Sequence, residues 1–375
     1  MKTVVITEVA CLTALGSGPE RLWQGLMNKE SGIAELKRFS CDNYSSSLAA
    51  CIEGLTAPVG GSRLDHLLEQ LAAQLGAVPA DARLLVASTK GEIDRLETAC
   101  RANAPIPRSM LFEPMLEKIA QRFGLHDPGM NINAACASST IALARGAALI
   151  AAGQAEVVLV YAADIVSEFV FSGFSALQAL SFAACKPFDS TRQGLNLGEA
   201  GVALLLMSAE RAERLGHPVL ATVAGWGAAN DAHHVTAPAR DGSGLILACR
   251  TALQKAGIRA DQIAAINAHG TATIYNDAME LTAFNALFAG KLPPLHGVKG
   301  SLGHSLGAAG GVEAVVAVYA LQHQQIPGTI GCEQPEEGGQ KALSAQSQKI
   351  CGDYLLSTNS GFGGINAALI LQGVK

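Results

Sequence analysis

The 375-residue sequence is poor in charge and in aromatic side chains. Asp, Glu, Lys and Arg make up 16% of the residues and Phe, Trp and Tyr 5%, while 49% are hydrophobic. An average soluble chain is about 25% charged, and a disordered chain needs high charge with few apolar residues. The composition therefore excludes a disordered chain. The net charge of -5 gives no basic excess, which argues against a nucleic-acid partner.

Long apolar runs and paired cysteines are also missing. Runs such as 157–163 and 202–207 have the length of strands, and none approaches the roughly 20 residues of a membrane-spanning helix. The nine cysteines are scattered without a Cys-x-x-Cys pair, unlike a disulfide framework or a zinc site. Residues 1–7 suggest an opening strand and not a secretory leader. We therefore expect a cytoplasmic protein with no membrane span.

Strand-like apolar runs alternate with Ala-rich helical stretches along the whole chain. This alternation is typical of an α/β protein, in which helices cover a mostly parallel sheet. The predicted strands are 2–6, 83–87, 130–134, 156–162, 201–207, 219–226, 263–268, 295–298, 354–357 and 367–372.

Two helical stretches, 138–153 and 306–322, are apolar on nearly all sides and should be buried. Each follows a strand and a turn of Gly, Ser or Ala, and each precedes another apolar run, as if one unit were used twice. The charged segment 210–218 is the natural join between the two parts. A surface loop is expected at 56–66, where Pro and Gly cluster.

A cysteine stands where a predicted strand gives way to the first buried helix. The segment Asn133-Ala-Ala-Cys136-Ala-Ser-Ser139 places the Cys136 thiol at a helix N-terminus, where unpaired N–H groups and the helix dipole favour the thiolate. The same N–H groups could form an oxyanion hole. By itself the pattern is weak evidence, because a cysteine beside alanine is more often a small core residue, so both interpretations stay open here.

Three further turns in the second part carry candidate residues. The first has His269 at the end of a predicted strand, where a lone histidine is more often structural. The second has Lys299 and His304 among glycines that permit close backbone approach. The third joins the last two predicted strands, and its glycines flank Phe362.

Together these motifs resemble those of β-ketoacyl-acyl-carrier-protein synthases of the elongating type, which use a Cys-His-His triad. The resemblance extends over essentially the whole chain. Its motifs are Cys136, His269-Gly-Thr-Ala-Thr273, Lys299 with Gly303-His304 and Gly307-Ala-Ala-Gly310, and Gly361-Phe-Gly-Gly364. The resemblance implies the thiolase fold, an α/β fold with two pseudo-symmetric halves in five αβαβα layers. The halves would be 1–210, with the nucleophile, and 219–375, with both histidines, the lysine and the gating loop.

The resemblance implies an acyltransferase, a 3-oxoacyl-acyl-carrier-protein synthase in fatty-acid or polyene/polyketide-type chain elongation. Cys136 would hold the acyl group as a thioester, and His269 and His304 would stabilise the enolate formed from the malonyl unit as carbon dioxide leaves. The backbone N–H groups of Cys136 and Phe362 would form the oxyanion hole. Because the substrates arrive on the phosphopantetheine arm of an acyl carrier protein, no separate cofactor and no metal are expected.

Other residues match family positions around the site. Lys299 matches the active-site lysine and Glu313 its acidic partner, although a purely structural salt bridge explains that pair equally well. Thr271 and Thr273 match threonines that hydrogen-bond the pantetheine arm. Phe362 resembles the gate that swings aside to admit the acyl chain.

The substrate-binding set departs from the family pattern at two positions. Gly361 and Gly363 flank the gate as usual, but Ser360 stands where fatty-acid synthases of this type have the first Phe of Phe-Gly-Phe-Gly-Gly. Leu195 likewise replaces the aromatic residue of Gly-Phe-Val-Leu-Gly. Both changes remove aromatic volume, so we expect a specialised substrate such as a stiff polyene acyl chain, as in aryl-polyene-type pathways.

Three alternatives differ in partner or in substrate. The chain could act as the catalytic subunit of a heterodimer with a chain-length factor in aryl-polyene biosynthesis, instead of as a homodimer. A non-catalytic chain-length factor is disfavoured because such partners typically lack the nucleophile that Cys136 supplies. A thiolase or an initiating synthase that uses coenzyme A is disfavoured because the initiating type has a Cys-His-Asn triad, whereas His304 occupies the third position here.

Overall fold

The computed structural model describes residues 1–374, except for the side chain of Ser109. The first part of the chain forms nine strands and seven α-helices. These are β1 (Val4–Thr13), β2 (Gly16–Ser17), α1 (Pro19–Met27), β3 (Ile33–Glu35), β4 (Leu48–Ala50), α2 (Arg63–Ala72), β5 (Arg83–Ala87), α3 (Ile93–Arg101), a 3₁₀ turn (Arg108–Met110), α4 (Phe112–Phe123), β6 (Met130–Asn131), α5 (Ser138–Ala151), β7 (Val157–Asp164), α6 (Glu168–Ala176), β8 (Leu197–Gly198), β9 (Ala200–Ser208) and α7 (Ala209–Leu215).

The second part forms seven strands and four α-helices within the described residues. These are β10 (Ala221–Asn230), α8 (Ser243–Ala256), a 3₁₀ turn (Ala260–Gln262), β11 (Ile263–Asn267), α9 (Ile274–Leu287), β12 (Leu295–His296), α10 (Lys299–Leu302), a 3₁₀ turn (Leu306–Ala308), α11 (Ala309–His323), β13 (Gln325–Ile326), β14 (Gln348–Lys349), β15 (Tyr354–Gly361) and β16 (Ile365–Gly373).

One mixed sheet runs through both parts with the strand order β6-β5-β7-β9-β1-β10-β16-β15-β11-β12. If the five strands of each part are numbered in chain order, both read 3-2-4-5-1 from the outer edge to the middle. The parts, called here the N half and the C half, meet where β1 pairs antiparallel with β10, Val5 opposite Thr222. The expected pseudo-symmetric α/β fold is confirmed. The sheet is not mostly parallel as expected, because the five pairings from β7 through the middle to β15 are antiparallel.

Side chains on each strand alternate between two hydrophobic clusters, as the two-residue period of a strand requires. On β9, Val202 and Leu204 belong to the central cluster with residues of α5 and α11, whereas Ala203 and Leu205 face an outer cluster with residues of α2 and α4. The C half repeats the arrangement, with α8 and α9 outside. Helices α5 and α11 are therefore enclosed between the halves, which gives the five expected layers.

The two central helices approach each other closely because glycine occupies the contact. A Cβ atom on Gly310, in the first turn of α11, would lie 1.9 Å from Oγ1 of Thr140 in α5 and 2.5 Å from Oδ1 of Asn359. Any other residue would push the helices apart. The chain segments that enter α5 and α11 are thereby held near each other, and these segments carry Cys136 and His304.

Several element boundaries differ from the sequence-based expectation. Strand β6 ends at Asn131 and not at 134, because the chain turns there towards α5. The loop expected at 56–66 ends at Ser62, whose hydroxyl accepts a hydrogen bond from the Leu64 N–H and caps α2. The second buried helix begins three residues later than 306, after a 3₁₀ turn.

All nine cysteines are unpaired. Within residues 1–374, no helix combines the length and the apolar character needed to cross a membrane.

Candidate active site

A cavity of about 320 Å³ is bordered by residues from both halves. The loop before α5 brings Cys136 to it, the loop after β11 brings His269, and the segment before α11 brings His304. The residues predicted from the sequence that border this cavity are Cys136, Leu195, His269, Thr271, Thr273, His304, Ser360, Gly361 and Phe362.

Cys136 is held against the turn that joins β15 and β16. The preceding residue, Ala135, has a φ of 48°, a left-handed conformation that turns the chain sharply into α5. A Cβ on Gly361 would lie 2.8 Å from the Ala134 carbonyl oxygen and 3.1 Å from the Cys136 nitrogen, so glycine is needed at this contact. The backbone N–H of Phe362 faces the Cys136 thiol and lowers its pKa in part.

Burial raises the pKa of the Cys136 thiol to about 11, although the Lys299 charge lowers it in part and the Asp164 charge raises it further. The position of Cys136 at a helix N-terminus predicted a lowered pKa. Desolvation raises the pKa by more than the helix N-terminus lowers it, because the thiol is enclosed in the protein. The Cys136 thiol is therefore neutral at neutral pH.

The hydrogen bonds of His269 determine which ring nitrogen carries its proton. Asn359 Nδ2 lies 3.1 Å and Lys299 Nζ 3.3 Å from His269 Nδ1. Both groups are donors, so Nδ1 accepts and Nε2 carries the hydrogen. Burial, together with Lys299 and His304, lowers the pKa of His269 well below its usual value. The ring is a neutral Nε2–H donor.

Lys299 and Glu313 do not border the cavity but lie behind His269. Lys299 Nζ is 2.5 Å from Glu313 Oε1 and also donates to the His269 carbonyl oxygen. Asn359 Nδ2 is 2.6 Å from Glu313 Oε2. Burial raises the pKa of Glu313, and the Lys299 charge opposes this. These groups reach a substrate only through His269.

His304 is the second imidazole of the cavity. Its ring centroid is 5.3 Å from that of His269, with the ring planes at 88°. Burial and the Lys299 charge lower the pKa of His304 well below its usual value, so this ring is neutral too. Its backbone N–H donates to the Asn196 carbonyl at 2.7 Å, while its buried Nδ1 has no partner among the described residues.

A cysteine and two neutral imidazoles around one cavity match the family that the sequence resembles. The family model "Beta-ketoacyl synthase, N-terminal domain" matches residues 1–90 and 115–212, and "Beta-ketoacyl synthase, C-terminal domain" matches residues 220–333. The chain belongs to the β-ketoacyl synthase family.

Individual relatives agree with this assignment. The chain is 31% identical to 3-oxoacyl-[acyl-carrier-protein] synthase 2 of Vibrio cholerae over 99% of each chain. The solved structure of the ishigamide ketosynthase/chain length factor superimposes with a TM-score of 0.91 at 26% identity over 100% of both chains. A ketosynthase in complex with its chain length factor from Xenorhabdus doucetiae gives a TM-score of 0.87 at 27% identity, covering 100% of this chain and 98% of the other.

Two buried carboxylates of this β-ketoacyl synthase support the His269 loop. Glu280 accepts hydrogen bonds of 2.7 Å from the His269 and Gly270 N–H groups, and Asp277 accepts one of 3.1 Å from the Ala272 N–H. Burial raises the pKa of Asp277 to about 6 and that of Glu280 to about 8. The sequence suggests only helix capping or ion pairing for these residues, and the signal that could have revealed more is two acidic residues in a largely apolar helix.

Asp164 and Asn359 were also missed by the sequence analysis. The Asp164 carboxylate accepts from the Ser88 hydroxyl at 3.0 Å and from the Gly307 N–H at 2.7 Å. It therefore connects the loop after β5 with the segment that carries His304. For Asp164, the signal in the sequence was a lone polar residue at the end of an apolar strand. For Asn359, it was the position directly before the predicted gating motif.

Phe362, the residue predicted to act as the gate, stacks on Phe174 of α6, with ring centroids 5.7 Å apart and planes at 22°. Gly363 does not border the cavity. It is exposed, and its N–H donates to the Val235 carbonyl at 2.7 Å. This bond ties the turn that carries Phe362 to the loop after β10.

The two positions that depart from the family pattern both border the cavity. The Ser360 hydroxyl donates to Asn366 Oδ1 at 2.7 Å, and Leu195 is buried. Neither side chain fills the volume of a phenylalanine. Among residues 1–374 no group of three His, Cys, Asp or Glu residues is arranged to hold a metal ion.

Proposed function

We propose that this β-ketoacyl synthase condenses an acyl thioester with malonyl carrier protein and releases carbon dioxide, as a 3-oxoacyl-acyl-carrier-protein synthase. The observation that carries the proposal is the cavity itself, in which Cys136 meets the neutral imidazoles of His269 and His304. The 3-oxoacyl-[acyl-carrier-protein] synthase 2 relative supports the same reaction.

In the first step the Cys136 sulfur attacks the carbonyl carbon of the acyl thioester. The new S–C bond forms, the carrier's C–S bond breaks, and the thiol proton passes to the departing sulfur. Because the resting thiol is neutral, this proton transfer accompanies the attack of the sulfur. The N–H groups of Cys136 and Phe362 face the oxyanion of the tetrahedral intermediate.

In the second step the malonyl C–C bond breaks and carbon dioxide leaves. The electron pair forms an enolate whose oxygen accepts hydrogen bonds from the Nε2–H group of His269 and from the imidazole of His304. The enolate carbon then attacks the acyl-Cys136 carbonyl, a C–C bond forms, and the cysteine sulfur leaves as a thiolate that takes a proton from water. Each such donor is worth about 10²-fold to 10³-fold in rate.

The remaining residues position these groups or the substrate. Lys299 and Glu313 hold His269 from behind. Thr271 and Thr273, whose hydroxyl oxygens are 2.9 Å apart at the cavity wall, bind the pantetheine arm. Phe362 moves off Phe174 to admit the acyl chain.

The substrate and assembly follow from the same features. Ser360 and Leu195 leave room where aromatic residues usually stand, which supports a stiff polyene acyl chain. The partners are an acyl carrier protein and either a second copy of the chain or a chain-length factor, as in the names of two structural neighbours. We further propose that 1–210 and 219–375 are the two halves, and that the unpaired cysteines fit the cytoplasm.

Mass spectrometry after incubation with acyl carrier protein tests the nucleophile. We expect one acyl group on Cys136, complete loss of acylation in Cys136→Ala, and unchanged acylation in the control Cys100→Ala, because Cys100 is exposed and outside the cavity. Acyl transfer to another residue would contradict the assignment. Condensation rates with saturated and polyenoyl carrier proteins test the substrate, and a clear preference for saturated chains would refute the polyene proposal.

A further inference from the structure

Asn276, in the first turn of α9, links the two buried carboxylates behind the His269 loop and also borders the active-site cavity. Its side-chain nitrogen Nδ2 lies 3.2 Å from Asp277 Oδ1 and 2.9 Å from Glu280 Oε2. The other groups that bond to Glu280 are the N–H donors of His269 and Gly270, so its oxygens are acceptors. The Asn276 amide is therefore fixed, because a flip would set its oxygen against carboxylate oxygens.

The oxygen of this amide is free for a ligand. Within residues 1–374, the side chain of Asn276 makes only the two hydrogen bonds that Nδ2 donates. Its Oδ1 is not one of the enclosed polar atoms that lack a partner, so it is open to the cavity. The residue as a whole is only 9% exposed. A fixed acceptor on a buried side chain thus faces the cavity that holds Cys136.

Other uncharged side chains at the cavity offer a poorer acceptor. Asn366 Oδ1 already accepts from the Ser360 hydroxyl at 2.7 Å. Gln178 and Gln193 are exposed, so a bond to either must first order a long side chain. Asn276 is held in place before a ligand arrives, which lowers the cost of binding.

Two threonines just before α9 offer the complementary group. The hydroxyl oxygens of Thr271 and Thr273 are 2.9 Å apart, so one hydroxyl donates to the other and the second O–H is left to donate to a ligand. The cavity wall thus presents an acceptor for an N–H at Asn276 and a donor for a carbonyl at the threonines. A ligand that carries amides has both groups, whereas a hydrocarbon acyl chain has neither.

We propose that Asn276 Oδ1 accepts a hydrogen bond from an amide N–H of the pantetheine arm, and that Asn276 thereby selects thioesters whose arm carries this amide. The inference rests on the proposed function, in which the arm delivers the acyl group to Cys136. Glu280 holds both the Asn276 amide and the backbone N–H of His269. The contact therefore places the arm relative to the same carboxylate that positions His269.

Acyl-pantetheine thioesters with an ester in place of one amide test this contact. The ester oxygen nearly keeps the shape of the amide but carries no hydrogen, so it leaves Asn276 Oδ1 unpaired against another acceptor. We expect one of the two single-ester analogues to acylate the unaltered protein with a kcat/KM about tenfold lower than the all-amide substrate. Mass spectrometry of Cys136 follows the acylation.

Asn276→Leu should abolish this preference, because leucine has a similar volume but no acceptor. The amide and ester substrates should then acylate Cys136 at rates within about twofold of each other. A merely structural role of Asn276 would slow both substrates equally and leave their ratio unchanged. Asn276→Ala provides the same comparison if the leucine variant does not fold. The control is Gln193→Met, which alters an exposed amide at the cavity and should keep the tenfold preference of the unaltered protein.

Two results would overturn the inference. One is equal acylation of the unaltered protein by the all-amide substrate and by both ester analogues. The other is a preference for the amide that persists in Asn276→Leu and Asn276→Ala. Either result leaves the proposed function intact, since the all-amide substrate still acylates Cys136. If that substrate does not acylate Cys136 in the unaltered protein, the proposed function fails and this inference fails with it.

Discussion

The N half and the C half share one strand order but supply different chemical groups to the site. The N half contributes the thiol of Cys136, and the C half contributes the imidazoles of His269 and His304. In each half the fourth strand, β7 or β15, is eight residues long. The two halves differ most clearly in the polar residues near the ends of these two strands.

Asp164 on β7 and Asn359 on β15 each reach across to the other half. Asp164 accepts from the Gly307 N–H before α11, and Asn359 accepts from the Thr140 hydroxyl in α5. The two residues differ in whether the side chain can also donate a hydrogen bond. The Asn359 amide also donates to His269 Nδ1, which a carboxylate cannot do. The half that must orient an imidazole uses an amide, and the half that meets only N–H and O–H donors uses a carboxylate.

The largest expected effect comes from making the two positions alike. Asn359→Asp removes the donor to His269 Nδ1 and places a carboxylate beside Glu313, which favours the wrong tautomer or a charged imidazole. We expect kcat for condensation to fall by about 10²-fold to 10³-fold, the effect of losing one enolate donor. Steady-state kinetics with malonyl carrier protein measures it. An activity within about threefold of the unaltered enzyme would show that Asn359 does not set the His269 tautomer.

The reciprocal change, Asp164→Asn, should have a smaller effect on condensation, about tenfold, and a distinct effect on the thiol. The Asp164 charge raises the pKa of Cys136, so its removal lowers this pKa and increases the thiolate fraction at a given pH. Iodoacetamide should then inactivate the variant faster at pH 8. The assay needs a background with the exposed Cys100 and Cys351 replaced by alanine.

The two variants test each other. Asn359→Asp adds a negative charge near the site and should raise the Cys136 pKa, the opposite direction to Asp164→Asn. Shifts of the same sign in both alkylation profiles would show that general loosening of the site, and not charge, controls the thiol.

Much of the fold was predictable from the sequence because burial leaves a periodic trace. Strand β5 was predicted with its observed bounds, and the apolar helices around 138–153 and 306–322 lie in the central layer as expected. The predicted ends of strands and helices were less accurate. The periodic pattern of apolar residues does not reveal where the hydrogen bonds between strands stop, as at Asn131. It also does not reveal where a 3₁₀ turn precedes a helix and moves its first residue.

Residues of the site were predictable only where they stand in a recognisable sequence motif. Cys136, His269 and His304 stand in motifs and lie at one cavity, while their chemical roles stay predictions. The partners that fix them are distant in sequence, with Asp164 and Gly307 separated by 143 positions and Thr140 and Asn359 by 219. The direction of the Cys136 pKa was wrong because the sequence shows a helix N-terminus but not how completely the thiol is buried.

The smallest predicted effect concerns stability and again separates the halves. The C half buries His296 with both ring nitrogens unpartnered among the described residues, and burial lowers its pKa to about 3. Between about pH 6.5 and pH 3 the unfolded imidazole takes up a proton that the folded one refuses, so this residue makes stability fall as pH falls. We expect His296→Leu to raise Tm by about 2–4 °C at pH 7.5 and by more at pH 5, since an unpaired buried group costs about 1–3 kcal/mol.

The control is His126→Leu, an exposed histidine of the N half, which should change Tm equally at both pH values. If acid lowers the Tm of His296→Leu as much as that of the unaltered protein, the folded C half accepts the proton at His296, and acid sensitivity does not distinguish the two halves.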